Sequence, residues 1–388
     1  MNIYIMREAV RIFKRNLRIK SNGYEKFSGT DEEICRNIIS RCWNGKYFQV
    51  SPDNGNYPLF YSRDFGMCCD ALIKLGYKDE VISTLKYAIE GYADNGYLAL
   101  IIPKEGKPFN FPDFYSPDGT AYFLRSLRMA GDLSLVVNHR EFLNKEIMFF
   151  EEVVIDKDIG FIKNQNFSGM RDHAVVRRSC YDMVMACMLS DEIERINLLA
   201  GRELLSNLLK KYKLKNTLIK NYWKDYFMNS ASDPSITSHC NVFPYYLDVI
   251  DDLDMMIKSI RKIQQEKLDI PFPLKYENYN PRRKFILEEI FVSGWERNTL
   301  WGFLAIPYID ILSRVDLNEA KKKLEDYGRL IEKNGMVEVY TPDGTKPYSS
   351  SFYSAETSII WAAMYLELKL RLKSEGGMRR WRSKRMDA

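Results

Sequence analysis

Short and long connections alternate regularly between the predicted helices of this chain, and this alternation limits the fold more than any other feature. Apolar residues recur at helical spacing in many windows, and strand-like alternation is rare. The pattern therefore predicts an all-α protein. The predicted helices cover residues 31–43, 64–76, 79–93, 118–131, 135–151, 175–190, 191–211, 240–250, 252–265, 296–313, 317–334 and 354–373.

The short junctions lie near Tyr77, Asp132, Ser190, Asp251 and Val315, and each is at most a few residues long. Such junctions are typical of antiparallel helical neighbours, whereas the other six connections run to roughly 20 residues or more. In an up-and-down array of helices, this alternation places all six long connections at one end. Long irregular segments in a compact domain usually carry function, so we expect a functional face there.

Two architectures fit six helical hairpins. One is a closed (α/α)6 barrel, a six-hairpin toroid whose long loops form a cup at one end, and the other is an open superhelical repeat that binds proteins. The sequence has no repeated signature at a fixed period, which favours the toroid. We expect an N-terminal extension over residues 1–30, the barrel over 31–373 and a basic C-terminal tail over 374–388.

Charge and cysteine usage narrow the class of protein. The 57 basic and 52 acidic residues give a formal net charge of +5, which gives no indication of nucleic-acid binding. The seven cysteines include no CxxC pair and predict free thiols in a reduced compartment. No run of about 18 apolar residues occurs, so we expect a cytoplasmic protein without a membrane span. The oligomeric state stays open, and the tail is either a solvated terminus or a docking patch for anions.

The long connections hold most of the proline, glycine and asparagine of the chain, and many aromatic residues. These aromatic residues include Tyr57, Phe60, Tyr61, Phe111, Phe114, Tyr115, Trp223, Tyr276, Tyr279, Trp295, Tyr340 and Tyr353. A loop face that is rich in aromatic rings and carboxylates is typical of a sugar-binding cup.

Five acids stand where a long connection meets a helix or turns back: Asp64, Asp118, Asp172, Glu296 and Glu338. Glycoside hydrolysis needs two carboxyl groups on opposite sides of the scissile bond, one as general acid and one as base or nucleophile. Structural roles are open as well. Asp64 and Asp118 could cap helices, Asp172 could form a turn, and Glu338 could be a solvated strand residue.

Five segments in chain order resemble the site motifs of the (α/α)6 glycosidases of the glycogen-debranching, glucoamylase, processing α-glucosidase and trehalase group. They are Tyr61-Ser62-Arg63-Asp64, Ser116-Pro117-Asp118-Gly119-Thr120, Phe167-Ser168-Gly169-Met170-Arg171-Asp172, Trp295-Glu296-Arg297-Asn298-Thr299-Leu300-Trp301, and Val337-Glu338-Val339-Tyr340 with the following Phe352-Tyr353-Ser354-Ala355. The sequence departs from the family pattern where Tyr353 replaces a tryptophan and Asn298 a glycine.

The resemblance implies an inverting, exo-acting hydrolase of an α-linked gluco- or manno-configured oligosaccharide, with Asp172 as general acid and Glu338 as general base. An enzyme of this kind needs no cofactor. The residues expected to bind the substrate are Tyr61, Arg63, Asp64, Asp118, His173, Trp295, Glu296, Trp301, Tyr340 and Tyr353. Arg63 and Asp64 would hold sugar hydroxyls, and Trp295 and Trp301 would form an apolar wall.

Other reactions and roles stay open on the same barrel, because a fold does not fix a reaction. A phosphorylase, lyase or epimerase is the alternative among enzymes, and a non-catalytic carbohydrate-binding or scaffold protein is the alternative outside them. The three histidines are scattered and no HExxH motif or Cys/His cluster occurs, so the sequence predicts no metal site. No glycine-rich phosphate loop or GxSxG motif is present either.

Overall fold

A computed structural model describes residues 3–374 of the chain, and the predicted basic tail lies outside them except for Ser374. The α-helices of this part are α1 Ile3–Asn22, α2 Asp31–Cys42, α3 Ser62–Lys74, α4 Lys78–Asn95, α5 Pro117–Ala130, α6 Leu133–Asn138, α7 Arg140–Val154, α8 Cys180–Ala200, α9 Leu214–Tyr222, α10 Ser238–Tyr246, α11 Leu253–Gln265, α12 Gly302–Ser313, α13 Leu317–Asn334 and α14 Ala362–Lys373. Two 3-10 helices cover Leu208–Tyr212 and Leu287–Val292. The predicted all-α class is confirmed.

The strands of the described residues are short and lie in the connections. They are β1 Phe60–Tyr61, β2 Ile101–Ile102, β3 Ile155–Asp156, β4 Phe161–Ile162, β5 Met228–Ser230, β6 Asp233–Ile236, β7 Leu274–Lys275, β8 Leu300–Trp301 and β9 Val339–Tyr340. All pairs are antiparallel: β1 with β2, β3 with β4, β5 with β6, and β8 between β7 and β9. In the three-stranded sheet Leu300 lies opposite Tyr340, and Trp301 opposite Val339.

Six helices pack on one another in a ring. Helix α3 packs on α5, α5 on α8, α8 on α10, α10 on α12, α12 on α14, and α14 on α3. A second layer surrounds this ring, with α4 on α3 and α5, α7 on α5, α9 on α8, α11 on α10, α13 on α12, and α2 on α14 and α13. Helix α12 is buried on every side from Gly302 to Leu312, as expected for an inner helix covered by neighbours all round.

The long connections lead into the inner helices. Residues 43–61, 96–116, 155–179, 223–237, 266–301 and 335–361 precede α3, α5, α8, α10, α12 and α14, respectively. Contacts join the beginnings of these helices in turn: Arg63 with Asp118, Asp118 with Tyr181, Tyr181 with His239, His239 with Tyr276, Tyr276 with Phe303, Phe303 with Trp361, and Trp361 with Asp64. The six helix beginnings therefore meet at one end of the ring.

Helix caps explain where two inner helices begin and overturn one alternative interpretation. Ser116 accepts a hydrogen bond from the backbone N–H of Gly119, and Ser179 accepts one from Asp182 at 3.0 Å. Helix α3 begins after Tyr61 without a side-chain cap. Asp64 and Asp118 therefore lie inside the first helical turn and cap nothing.

Several predicted boundaries are wrong, and α9 lies in residues that were predicted as a connection. The break at Ser190 does not exist, because α8 continues to Ala200 and ends at Gly201, whose φ of 63° is the left-handed cap conformation. The helix predicted from residue 296 begins only at Gly302, because Leu300 and Trp301 pair within the three-stranded sheet. The helix predicted from residue 354 begins only at Ala362. In addition, the predicted extension over 1–30 contains α1, which the apolar pattern did not predict.

Glu192 on α8 ties two neighbouring inner helices together. Its carboxylate is fully buried and pairs with Arg125 and Arg128 of α5 and with Arg195 one turn further along α8. Removing one partner from a buried charge cluster is costly, because the remaining charges stay desolvated.

We predict that Glu192→Gln lowers the free energy of unfolding in urea by about 2 kcal/mol. Glu194→Gln is the matched control, since Glu194 lies on the same helix and its ion pair with Lys210 is exposed. The control is expected to change stability by less than about 0.5 kcal/mol. Equal effects of the two substitutions would contradict the role assigned to Glu192.

Candidate active site

Arg63, in the first turn of α3, is the fixed cation of the site. Its Nε lies 2.6 Å from Oδ2 of Asp118 and its Nη1 donates to Oδ1 of Asp172 at 3.1 Å. Asp118 is fully buried and also accepts hydrogen bonds from Ser116 and Tyr181. Asp118 therefore orients Arg63 from behind and is itself covered by protein, so its predicted contact with a substrate stays a prediction. The Nη2 atom of Arg63 has no partner among the described residues.

Asp172 is more accessible than its partners, because 34% of its side chain is exposed, compared with 8% for Arg63. The enclosing walls remove bulk water and raise the pKa of Asp172 to about 6, while the positive charge of Arg63 opposes this rise. A carboxyl group with such a pKa can hold or release a proton near neutral pH. This is the property that general acid–base chemistry requires.

Glu296 fixes the loop that carries Asp172. Its carboxylate accepts backbone N–H groups from Asp172 at 2.6 Å, from His173 at 3.1 Å and from Ala174 at 2.8 Å. Successive N–H groups that converge on one carboxylate form a rigid anion nest. Glu296 is only 1% exposed and holds the loop from behind, and its predicted substrate contact stays a prediction. Arg171 supports the same loop by donating to the carbonyl oxygen of Glu296 at 2.6 Å.

Glu338, just before β9, lies under two tyrosines. Its Oε1 accepts the hydroxyl of Tyr57 at 2.7 Å, and its Oε2 accepts the hydroxyl of Tyr353 at 2.6 Å and the backbone N–H of Glu356 at 3.0 Å. Burial raises the pKa of Glu338 to about 7, and these three hydrogen bonds oppose the rise because they favour the ionised form. Because Glu338 is only 4% exposed, the interpretation of it as a solvated strand acid is wrong.

Asp64 and Tyr61 lie beside Arg63 and are both half-buried. Oδ1 of Asp64 accepts the indole N–H of Trp361 at 2.9 Å, and burial raises the pKa of Asp64 to about 6. The ring of Tyr61 packs edge-on against Tyr57, with 5.9 Å between ring centroids. Asp64 and Tyr61 therefore border both the Arg63 side and the Glu338 side of the site.

Trp295, Trp301 and Tyr353 form an aromatic wall between the two acids. The centroid of Trp295 lies 5.1 Å from that of Trp301 and 4.8 Å from that of Tyr353, and both pairs are T-shaped. The indole N–H of Trp301 is buried and has no partner among the described residues. This wall links the loop of Glu296 to the tyrosine that binds Glu338.

Tyr340 differs from expectation, whereas the substrate contact predicted for His173 stays a prediction. Tyr340 is fully buried in a cluster with Leu300 and Val337, so the structure does not support its contact with a ligand. The backbone N–H of His173 donates to Glu296, and its ring packs edge-on against Phe111 at 6.2 Å. His173 is thus held by the backbone and by an aromatic neighbour.

Sequence reasoning missed Glu356 and Trp361. Both lie in residues 354–361, which were predicted as the first part of a helix, and neither belongs to a segment that matches the family motifs. The order Tyr353-Ser354-Ala355-Glu356 places an acid three residues after a site tyrosine. This spacing is the feature of the sequence that could have identified Glu356 as a site residue.

Two further features concern metals and membranes. Within residues 3–374, no group of three or more His, Cys, Asp or Glu side chains is arranged to hold a metal ion. None of the helices in this part of the chain is long and apolar enough to cross a membrane.

Fold comparison finds that the structure of this chain is similar to several glycosidases of known structure. A rhamnosidase from Klebsiella oxytoca with rhamnose bound superposes with a TM-score of 0.60 at 13% identity, over 88% of this chain and 64% of that chain. A GH63 mannosylglycerate hydrolase from Thermus thermophilus gives a TM-score of 0.56 at 11% identity, over 88% of this chain and 100% of that chain. A further protein described as a glycosidase gives 0.59 at 13% identity, over 95% of this chain and 98% of that chain.

This chain thus spans less than two thirds of the length of the rhamnosidase. No family model and no curated protein matches the sequence. At these identities the likeness shows a shared fold and not a shared substrate.

Because folding raises the pKa of Glu338, this residue makes the free energy of unfolding depend on pH. Its pKa rises from 4.5 to about 7 on folding, so the folded state binds more protons than the unfolded state between these values. The unfolding free energy therefore decreases as pH rises through this window, by on the order of 3 kcal/mol in total.

We predict that Glu338→Gln removes this decrease. Chemical unfolding of the wild type and the variant at a series of pH values from 4.5 to 8 measures the difference. The variant should gain stability relative to the wild type as pH rises through this range. A difference that stays constant with pH would show that Glu338 titrates normally.

Proposed function

We propose that the protein is a glycoside hydrolase with an (α/α)6 barrel, and that its active site is the cup at the beginnings of the inner helices. The closed order of contacts among α3, α5, α8, α10, α12 and α14 supports the barrel. The glycosidase fold of the structural neighbours supports the reaction class. The observation that carries the proposal is the pair Asp172 and Glu338, two carboxyls with raised pKa values in connections that lead into the inner helices.

The two carboxyl groups differ in ways that suit different roles. Glu338 is already covered by protein and accepts three hydrogen bonds, so it is organised as an acceptor and acts as general base. Asp172 is partly open, and a sugar that covers it displaces its remaining water and raises its pKa further. Asp172 is therefore the general acid.

The hydrolysis follows from these roles. Asp172 gives its proton to the glycosidic oxygen as the bond from that oxygen to the anomeric carbon breaks. Glu338 takes a proton from a water molecule, whose oxygen forms the new bond to the anomeric carbon from the opposite face. The anomeric configuration is inverted, which requires room for that water between the two carboxyl groups. The substrate class proposed is an α-linked gluco- or manno-configured oligosaccharide, cleaved from its end.

The remaining site residues bind the sugar in this proposal. The free Nη2 of Arg63 and the free indole N–H of Trp301 are buried donors that a sugar hydroxyl can satisfy. Asp64 and Tyr61 offer an acceptor and a hydroxyl at the same end. The proposal also assigns Trp295 and Trp301 to the apolar face of a pyranose. The neighbouring structures that hold rhamnose or glucose show that this fold binds sugars in those proteins.

The test compares single substitutions of the two acids on glycosides with poor and with activated leaving groups. Asp172→Asn should lose about 10²-fold or more in kcat on poor leaving groups and retain activity on activated ones, because only the former need a proton. Glu338→Gln should lose activity on both classes, because every turnover needs the activated water.

Asp113→Asn serves as the control, since Asp113 is an exposed acid in the connection before α5. It should behave as the wild type. Full activity of Glu338→Gln, with an unchanged circular dichroism spectrum, would refute the proposal. Turnover that depends on added phosphate would assign the site to a phosphorylase instead.

A further inference from the structure

Helix α1 belongs to the region that was expected to be an N-terminal extension, yet it lies on the segments that surround Glu338. Arg11 donates to the carbonyl oxygens of Gly55 and Asn56, and Asn16 donates to that of Ser351 at 2.9 Å. Ser354 in turn donates to Oδ1 of Asn16 at 2.7 Å. Helix α1 thus binds two separate connections, 43–61 and 335–361, and holds them side by side.

Arg15 joins α1 to both connections through one guanidinium group. Its Nη2 lies 3.0 Å from Oε1 of Glu356, and the two side chains are only 10% and 2% exposed. Its Nη1 donates to Oδ1 of Asn56 at 3.2 Å and to the carbonyl oxygen of Ser354 at 3.3 Å. An arginine that binds three groups in a rigid fork fixes their mutual positions.

The partners of Arg15 are connected directly to those of Glu338. Asn56 precedes Tyr57 and donates through Nδ2 to the hydroxyl of Tyr353 at 2.9 Å. The hydroxyls of Tyr57 and Tyr353 lie 2.6 Å apart, and both bind Glu338. Glu356 donates its own N–H to Glu338. Arg15 therefore contacts either each donor to Glu338 or a residue that is bonded to that donor.

We propose that Arg15 is a positioning residue for Glu338, so that α1 is part of the active site. The inference rests on the proposed function, in which Glu338 is the general base. Arg15 acts in two ways: it holds the loops of Tyr57 and Tyr353 together, and it neutralises the buried carboxylate of Glu356 beside Glu338.

The titratable groups around Glu338 are the tyrosines Tyr24, Tyr57 and Tyr353 and the acid Glu356. The cation Arg15 lies behind them, paired with Glu356. Burial raises the pKa of both Tyr57 and Tyr353, so they remain protonated donors. Glu356 also accepts backbone N–H groups from Asn56, Thr357 and Ser358, which hold its carboxylate in place without Arg15. Loss of Arg15 would leave the carboxylate of Glu356 without its counterion beside Glu338, and this raises the pKa of Glu338.

The test substitutes Arg15→Met and measures Glu338 in two ways. The first is the pH series of unfolding, with and without Glu338→Gln, which needs no substrate. In the Arg15→Met background the pKa of Glu338 should rise by about one pH unit. The second is the pH profile of kcat, whose optimum lies midway between the pKa values of acid and base. In Arg15→Met this optimum should move by about half a pH unit to higher pH.

Two matched variants separate charge from docking. Arg15→Lys keeps a cation beside Glu356 and should keep the wild-type optimum. Arg11→Met removes an arginine one turn earlier on α1, which binds the same loop but does not contact Glu356. It should lower stability without moving the pKa of Glu338. Arg15→Gln replaces Arg15→Met if the latter does not fold.

The outcomes distinguish the two proposals. An unchanged Glu338 titration in Arg15→Met, or an equal shift in Arg11→Met, would refute the role of Arg15. If Glu338→Gln remains fully active, the proposed function fails, whereas the substrate-free titration still tests the contact between Arg15 and the Glu338 cluster.

Discussion

The buried guanidinium of Arg63 holds three consecutive parts of the inner ring together. It lies in the first turn of α3, pairs with Asp118 in the first turn of α5, and reaches Asp172 in the connection before α8. A buried charge is tolerated only when it is paired, so these segments cannot separate without leaving a charge unsatisfied. The same pairing leaves Asp172 as the one member of the cluster with substantial exposure. The position of the proposed acid therefore follows from the ion pair that closes this side of the ring.

The other side of the cup uses neutral donors in place of a cation. Glu338 is surrounded by two tyrosine hydroxyls and a backbone N–H, and the arginine on this side, Arg15, binds Glu356 behind it. A direct cation would hold Glu338 ionised and make it a weak base, whereas hydrogen bonds in a dry site keep its pKa near neutrality. Burial thus raises the pKa values of both acids. Their neighbours differ, because Asp172 pairs with a cation and Glu338 accepts neutral donors. Such a difference allows two carboxyl groups to take different roles.

Much of the fold could be predicted from the sequence, because helical periodicity and connection length are local signals. Helix α13 was predicted with its observed bounds, Leu317–Asn334, since Asp316 caps its start and Gly335 follows its end. The false break at Ser190 arose because a Ser-Asp pair is also a cap signal, and only packing against α5 decides that α8 continues. The late starts of α12 and α14 depend on strand pairs and loop contacts between residues far apart in the chain. Such contacts have no signature in a local pattern.

The site could be predicted from the sequence to a similar extent as the fold. The motifs located Arg63 and Asp64 at the start of one inner helix and Asp172, Trp295 and Glu338 in three different connections, and contacts now join these segments at one end. Their division into residues that face the cup and residues that support it was not predictable, because it depends on burial. In the sequence, Asp118 and Glu296 are candidate acids of the same kind as Asp172. In the structure, both of their side chains are covered by protein. Glu356 and α1 were missed, since their role depends on contacts over more than 300 positions of the chain, such as that between Arg15 and Glu356.

The central claim is that one water, activated by Glu338, attacks the anomeric carbon opposite to Asp172. Proton NMR of the first sugar released from α-linked disaccharides of glucose or mannose tests this claim most directly. The account predicts that the β-anomer appears first and then equilibrates with the α-anomer. Initial release of the α-anomer would show retention and contradict the assignment of Glu338 as a base that acts on water.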